Sequence, residues 1–204
     1  MPFTETSFSQ AIFQMFENLD TYLEKNYDDL PQEAVKVYLF GGCAIHLHIG
    51  NRASNDIDAE LEIIQKLKPL ASLETAIKAV GFDDEEGDYC MLDFDGNFNP
   101  TIAPIHPDYP IHPDYKERSS LLHTTKSQLV SLYLISAVDI AVSKLGRFES
   151  VDREDIINLF QNKMFTIEDF RETAEEAKNY CGVATDKLGF NIDMAIDILK
   201  EKAQ

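Results

Sequence analysis

Apolar residues recur three and four positions apart from Phe8 to Leu23, through Ile12, Met15, Phe16, Leu19 and Tyr22. That spacing gathers them on one helical face, and it predicts a helix over residues 7–25 that lies on a sheet. Beyond the polar stretch 26–31 the period changes. Residues 35–40 are β-branched and aromatic, which fits a buried strand. Gly41 and Gly42 end that strand, residues 43–49 have room for two helical turns, and Gly50 stops them. A second strand starts at Asp56-Ile57-Asp58 and runs to about Ile63. Pro69 marks a break, and residues 72–80 read as a short helix capped by Ser72 and closed by Gly81. The acid-rich residues 83–88 read as a solvated loop. Residues 89–94 and 97–105 read as two strands, with Asp95-Gly96 as the hairpin signal between them. Residues 129–134 make a further strand.

From there the pattern is helical. Ser136 with Asp139 three residues later is a capping box for a helix over 137–145. Ser150 or Asp152 opens the next helix. Thr166 with Asp169 opens another, which carries Phe170 to Tyr180 and stops at Gly182. Ile192, Ala195, Ile196 and Leu199 give the last helix an apolar face. The chain therefore reads as α/β (α+β). A small, mixed, twisted sheet backed by helices occupies residues 1–135, and a helical part occupies 136–204.

Composition narrows the function classes. Of 204 residues, 44% are hydrophobic and 26% charged, as in an ordinary globular protein. No run of about 18 apolar residues occurs, so no membrane span is expected. The N-terminus lacks the basic and apolar regions of a signal peptide. Cys43, Cys90 and Cys181 are odd in number and far apart, so neither a disulfide framework nor a Cys-x-x-Cys metal site is expected, and a reducing cytoplasm is. Net charge is −18, with the acid excess spread along the chain. Such a field disfavours non-specific nucleic-acid binding and favours cationic substrates or a basic partner protein.

The chemistry concentrates in one stretch. In a strand, Asp56 and Asp58 point to the same face with Cα atoms roughly 6.5–7 Å apart, while Ile57 faces the core. Two carboxylates side by side suit a hard divalent cation. The paired glycines leave no side chain in the way of a ligand. Asp93 and Asp95 repeat the two-apart spacing and would share a face, as solvated acids flanking a hairpin do. His106-Pro-Asp-Tyr and His112-Pro-Asp-Tyr form a short duplication. Their prolines indicate an extended loop rather than a metal site.

Gly-Gly, thirteen intervening residues and then Asp-x-Asp resembles the signature of the DNA polymerase β nucleotidyltransferase superfamily. The finer pattern Arg52-x-Ser54-x-Asp56-Ile-Asp58 is similar to the AbiEii/MNT-like minimal nucleotidyltransferases. So is a second block, with Lys144-Leu145 on one helix, Arg147 soon after, and Asp152-Arg-Glu-Asp155 opening the next helix. The resemblance covers residues 35–61 and 136–160. It implies a nucleotidyltransferase fold in which residues 136–204 complete an active-site cleft. It implies that Asp56 and Asp58 hold Mg2+ or Mn2+ and that Gly41, Gly42, Arg52, Ser54 and Lys144 bind an NTP. Asp152 would complete metal coordination or accept a proton, with Asp155 and Arg147 beside it, and Asp93 or Asp95 could fill the place of the superfamily's third carboxylate. The reaction implied is transfer of a nucleoside monophosphate to an acceptor: RNA, a protein side chain or a small molecule. A toxin–antitoxin or defence role is admitted. The rival reading of the second block is a pair of ion pairs, Lys144–Asp155 and Arg147–Asp152, that pin two helices. The rival for the whole chain is an inactive nucleotide-binding or protein-interaction module of the same fold.

Overall fold

The computed structural model describes residues 1–51, 54–67, 71–96, 110–181 and 185–203, with backbone only at 71 and 72. The chain divides into two compact units, Met1–Phe98 with Ser119–Leu134 and Asn99–Arg118 with Ile135–Gln204. The fold is mixed α/β, with the C-terminal part helical.

The first unit opens with helix α1 (Ser7–Asn26), capped by Thr6, whose hydroxyl accepts from the Ser9 amide. Its apolar stripe is buried as the spacing predicts, Tyr22 alone staying half-exposed. One acid lies on the buried side. Asp20 accepts from the Thr125 hydroxyl at 2.7 Å and from the Ser127 and Leu129 amides at 3.0 and 3.2 Å. Those bonds satisfy a carboxylate that would otherwise be costly to bury. They fasten α1 to the turn between strands β6 (Ser120–Thr124) and β7 (Val130–Leu134).

Strand β1 (Val35–Leu39) is central. It pairs in parallel with β7 and antiparallel with β3 (Ala59–Ile63), and β6 closes the edge, giving the order β3-β1-β7-β6. Val35, Val37, Leu39, Val130 and Leu132 are wholly buried. Burial on both sides explains the run of β-branched and aromatic residues. Helix α2 (Gly41–Ile49) follows β1 and ends at Gly50, which is left-handed. A second sheet has the order β2-β5-β4, from β2 (Asp56–Ile57), β5 (Tyr89–Phe94) and β4 (Val80–Asp83).

Several expectations need correction. Helix α2 begins at Gly41 itself rather than at residue 43. The strand from Asp56 to Ile63 breaks at Asp58, so β2 and β3 belong to different sheets. The helix expected over 72–80 shrinks to α3 (Ala71–Glu74), and Val80 and Gly81 begin a strand instead. Val80 and Phe82 alternate with Gly81 and Asp83 as β4 pairs antiparallel with β5, so sheet pairing overrides the weak helical signal. The acid-rich loop is the hairpin turn between them. There the Asp84 carboxylate accepts from the Glu86 and Asp88 amides. The strand expected over 97–105, its partner role in an Asp95-Gly96 hairpin, the first His-Pro-Asp-Tyr copy and Gly182 lie outside the described residues.

The second unit contains α4 (Ala137–Ser143), α5 (Ser150–Gln161), α6 (Ile167–Tyr180) and α7 (Thr185–Lys202). Helix α6 packs on α4 and α7, and α5 packs on α4 and α7. The Thr166–Asp169 capping box forms. Ser136 caps α4 by accepting from the Asp139 amide. Asp139 is wholly buried, with the Arg118 guanidinium 3.0 Å away. Among the described residues no helix is long and apolar enough to cross a membrane.

Candidate active site

Gly41 stands where β1 turns into α2, with φ of 58°. That left-handed backbone strains any residue with a Cβ. A second reason for glycine is space: a Cβ here would lie 1.8 Å from Asp58 Oδ2. The Asp58 carboxylate therefore rests directly on the glycine turn. The Phe40 amide donates to the Asp58 carbonyl at 2.8 Å, which fixes that approach.

Phe40 occupies the position before α2 and has no side chain able to cap it. The first-turn amides of α2 thus end the helix dipole's positive pole beside the Asp58 carboxylate. The Cys43 thiol is buried here, donating to the Phe40 carbonyl at 3.0 Å. Burial pushes its pKa far up, and the charges of Asp58 and, more weakly, Asp56 push it further. The thiol is therefore a packing group rather than a nucleophile.

Asp56 is exposed and Asp58 half-buried. Asp56 sits opposite Asp93 in the parallel β2–β5 pairing, so both carboxylates leave the same face of the small sheet. The Asp93 amide donates to Asn55 O at 2.9 Å and the Asp95 amide to Ile57 O at 3.1 Å. Asp93 therefore lies in the strand beside the Asp-x-Asp pair, and Asp95 just past its end. Ser54, expected at a phosphate, donates to Asp56 Oδ1 at 2.8 Å. Arg52 lies outside the described residues.

Among the described residues, no three His, Cys, Asp or Glu side chains gather into a ready-made ion cage. Magnesium does not need one. It is commonly held by one or two carboxylates, with water and substrate phosphate filling its octahedron. Two hard oxygen donors near the start of a helix that Phe40 leaves without a side-chain cap fit that mode.

The second block lies in the second unit. Lys144 follows α4, with Nζ 3.6 Å from Asp152 Oδ1 and 3.2 Å from Asp155 Oδ2. Arg147 clasps Asp152 with two bonds, Nε to Oδ2 at 2.8 Å and Nη2 to Oδ1 at 2.7 Å. Asp152 Oδ2 also accepts from the Glu149 amide at 3.1 Å, completing a capping box at the start of α5. Asp152 and Asp155 are 1% and 2% exposed. Burial works to raise the Asp152 pKa, but the Arg147 bonds, the Glu149 amide and the Lys144 charge outweigh it and hold the carboxyl below its ordinary value. These groups form one ion cluster with buried carboxylates and a largely exposed Arg147, joining the end of α4 to the start of α5.

Two features of the site were only partly legible in the sequence. The Asp56–Asp93 pairing joins residues far apart in the chain, and only the repeated two-apart acids hinted at it. The capping role of Asp152 had a local signal, an acid at Glu149 three residues before it.

No curated protein matches the chain. Residues 10–197 match the family model described as "Nucleotidyltransferase of unknown function (DUF6036)". That match spans most of the sequence, and the chain belongs to this nucleotidyltransferase family.

Proposed function

We propose that the protein is a metal-dependent nucleotidyltransferase of the AbiEii/MNT-like kind, with its chemistry at Asp56, Asp58 and the Gly41-Gly42 turn. The observation that carries this reading is the Asp58 carboxylate resting on Gly41 at the bare start of α2, with Asp56 two residues before it. A triphosphate would set its oxygens at the first-turn amides of α2, where glycine allows close approach. Magnesium or manganese held by Asp56 and Asp58 would offset phosphate charge and favour ionisation of the acceptor hydroxyl. The acceptor oxygen attacks the α-phosphorus, the bond to the bridging oxygen breaks, and pyrophosphate leaves. Asp93, across from Asp56, would take the hydroxyl proton. Ser54 would orient Asp56 in the empty site and turn to a phosphate oxygen in the filled one. Lys144 and Arg52 are assigned to the triphosphate by resemblance, and Asp152 would hold Lys144 in place.

The test is label transfer. The protein is incubated with each α-labelled NTP, with magnesium or manganese, and with cell extract as the acceptor source. Label should appear on an acceptor in a metal-dependent way and disappear with Asp56→Asn/Asp58→Asn. Nucleotide binding without transfer under every condition would instead establish the inactive module. Neither binding nor transfer would overturn both.

A further inference from the structure

The two faces of the β4–β5 hairpin differ. One is packed: Phe82 meets Phe8 of α1 at 6.0 Å between ring centroids, and Leu92 is wholly buried. Glu85 in the turn accepts from the Ser7 amide at 2.7 Å, fastening the hairpin to the start of α1. The other face is open. Tyr89 and Met91 are 68% and 55% exposed. Gly81 pairs with Met91, and a Cβ there would stand 2.2 Å from Tyr89 Oη, so the tyrosine ring lies across the glycine. The next residue on this face of β5 is Asp93, opposite Asp56. At the other end Asp83 pairs with Tyr89, and the turn adds Asp84, Glu86 and Asp88. No Lys or Arg occurs from residue 79 to 115.

We propose that this strip docks the acceptor and that the acceptor is a basic, extended polypeptide segment; the inference rests on the nucleotidyl-transfer reading of the carboxylate end. Two large apolar side chains exposed together and rimmed by charge mark an interaction surface. The hairpin carries acids at both ends of the strip and no Lys or Arg, so a nucleic-acid backbone is repelled and a cation attracted. Lysine and arginine stems cover a tyrosine and a methionine while their charged heads reach the carboxylates. A small polyamine matches the charge but has no side chains for Tyr89 and Met91. An extended chain repeats its side chains every 6.5–7 Å or so, the spacing of Tyr89, Met91 and Asp93 along β5. The packed far face makes the strip a fixed platform rather than a mobile hairpin.

The probe is a fluorescent peptide of alternating lysine and leucine, followed by anisotropy with unlabelled competitors. It should bind, more weakly as salt rises. A peptide of alternating glutamate and leucine, spermine and an RNA oligonucleotide should compete poorly. Tyr89→Ser/Met91→Ser, at exposed positions, should keep the wild-type melting temperature and bind about tenfold more weakly. Asp58→Asn should bind the peptide like wild type while losing transfer. Absence of peptide binding, equal binding by the double variant, or better competition by spermine or RNA would overturn the proposal. Peptide binding intact with no transfer from any NTP would count against the nucleotidyl-transfer reading alone.

Discussion

The protein keeps two sets of aspartates in opposite circumstances. In the first unit Asp56 and Asp93 are exposed, and among the described residues no cation pairs with either. In the second unit Asp139, Asp152 and Asp155 are buried, and each has an arginine or lysine within 3.2 Å. Both sets carry motif-like spacing. What separates them is where the compensating charge comes from. The buried set takes it from the protein and spends it on holding helices together. Under the proposed function the exposed set takes it from outside, from an ion or a cationic substrate. Motif spacing alone does not distinguish these cases; burial and partner geometry do.

The comparison breaks most visibly if the exposed set proves dispensable. Asp56→Asn/Asp58→Asn should reduce transfer by roughly three orders of magnitude, the scale of removing electrostatic stabilisation from an active site. Its melting temperature without ligand should stay near wild type, because asparagine keeps the size and shape of the side chain at exposed Asp56 and half-buried Asp58. A wild-type rate, or a protein that no longer folds, would move these acids into the structural class.

Lys144→Ala tests the other side. Removing the ammonium leaves Asp155 and, in part, Asp152 as buried carboxylates without it. Breaking a buried pair from one side typically costs about 3 kcal/mol or more. Chemical denaturation should register that loss directly. The assignment of Lys144 to the triphosphate requires NTP affinity of the folded protein to fall as well. Unchanged affinity would leave Lys144 as a helix tie only.

Gly41→Ala should have a smaller effect on stability, about 1–3 kcal/mol, from a Cβ at positive φ. It should also cost activity beyond that, since the new Cβ must displace the Asp58 carboxylate. Gly50→Ala shares the positive φ and provides the control, as its crowding is against Phe3 rather than an acid. Equal activity loss in both variants would mean that the Gly41 effect is general strain.

Much of this organisation was legible from residue spacing. Helix α1, the strand before Gly41 and the helical tail follow from apolar period and capping residues, which are local. Asp56 and Asp58 stood out because an acid pair around an isoleucine is unusual in a strand. Strand β4 was misread because Gly81 signals a helix stop as well as it signals a floor for a tyrosine ring. Strand β6 went unread: Ser-Leu-Leu-His-Thr has no clean alternation, and its bulge between Leu121 and His123 explains why. Asp20 also could not be read, since its partners are backbone amides more than a hundred residues away. What the sequence hides is pairing between distant segments, and that pairing sorts the two sets of aspartates.

The smallest expected effect lies within the buried set, where Asp152 and Asp139 should titrate with opposite signs. Asp152 has a pKa below its ordinary value because the Arg147 bonds, the Glu149 amide and Lys144 together outweigh its burial. The unfolded chain then binds more protons than the folded one in the acid range. Stability from Asp152 is thus fully present above the unfolded pKa, near 3.9, and is lost as pH falls through the lower folded value. Asp139 is the reverse. Burial raises its pKa, and the Ser136 hydroxyl and the Arg118 charge offset only part of that. Its contribution is fully present below about 3.9 and is lost as pH rises through the higher folded value. Melting temperatures of wild type, Asp152→Asn and Asp139→Asn measured from acid to neutral pH would separate the two. The gap between wild type and Asp152→Asn should widen by a few degrees as pH rises out of the acid range, an order set by the size of the chain. For Asp139→Asn the wild-type advantage should shrink over the same span. Parallel curves for all three proteins would mean that neither carboxylate differs between the folded and unfolded states. The contrast between paired and exposed aspartates would then rest on geometry without an energetic counterpart.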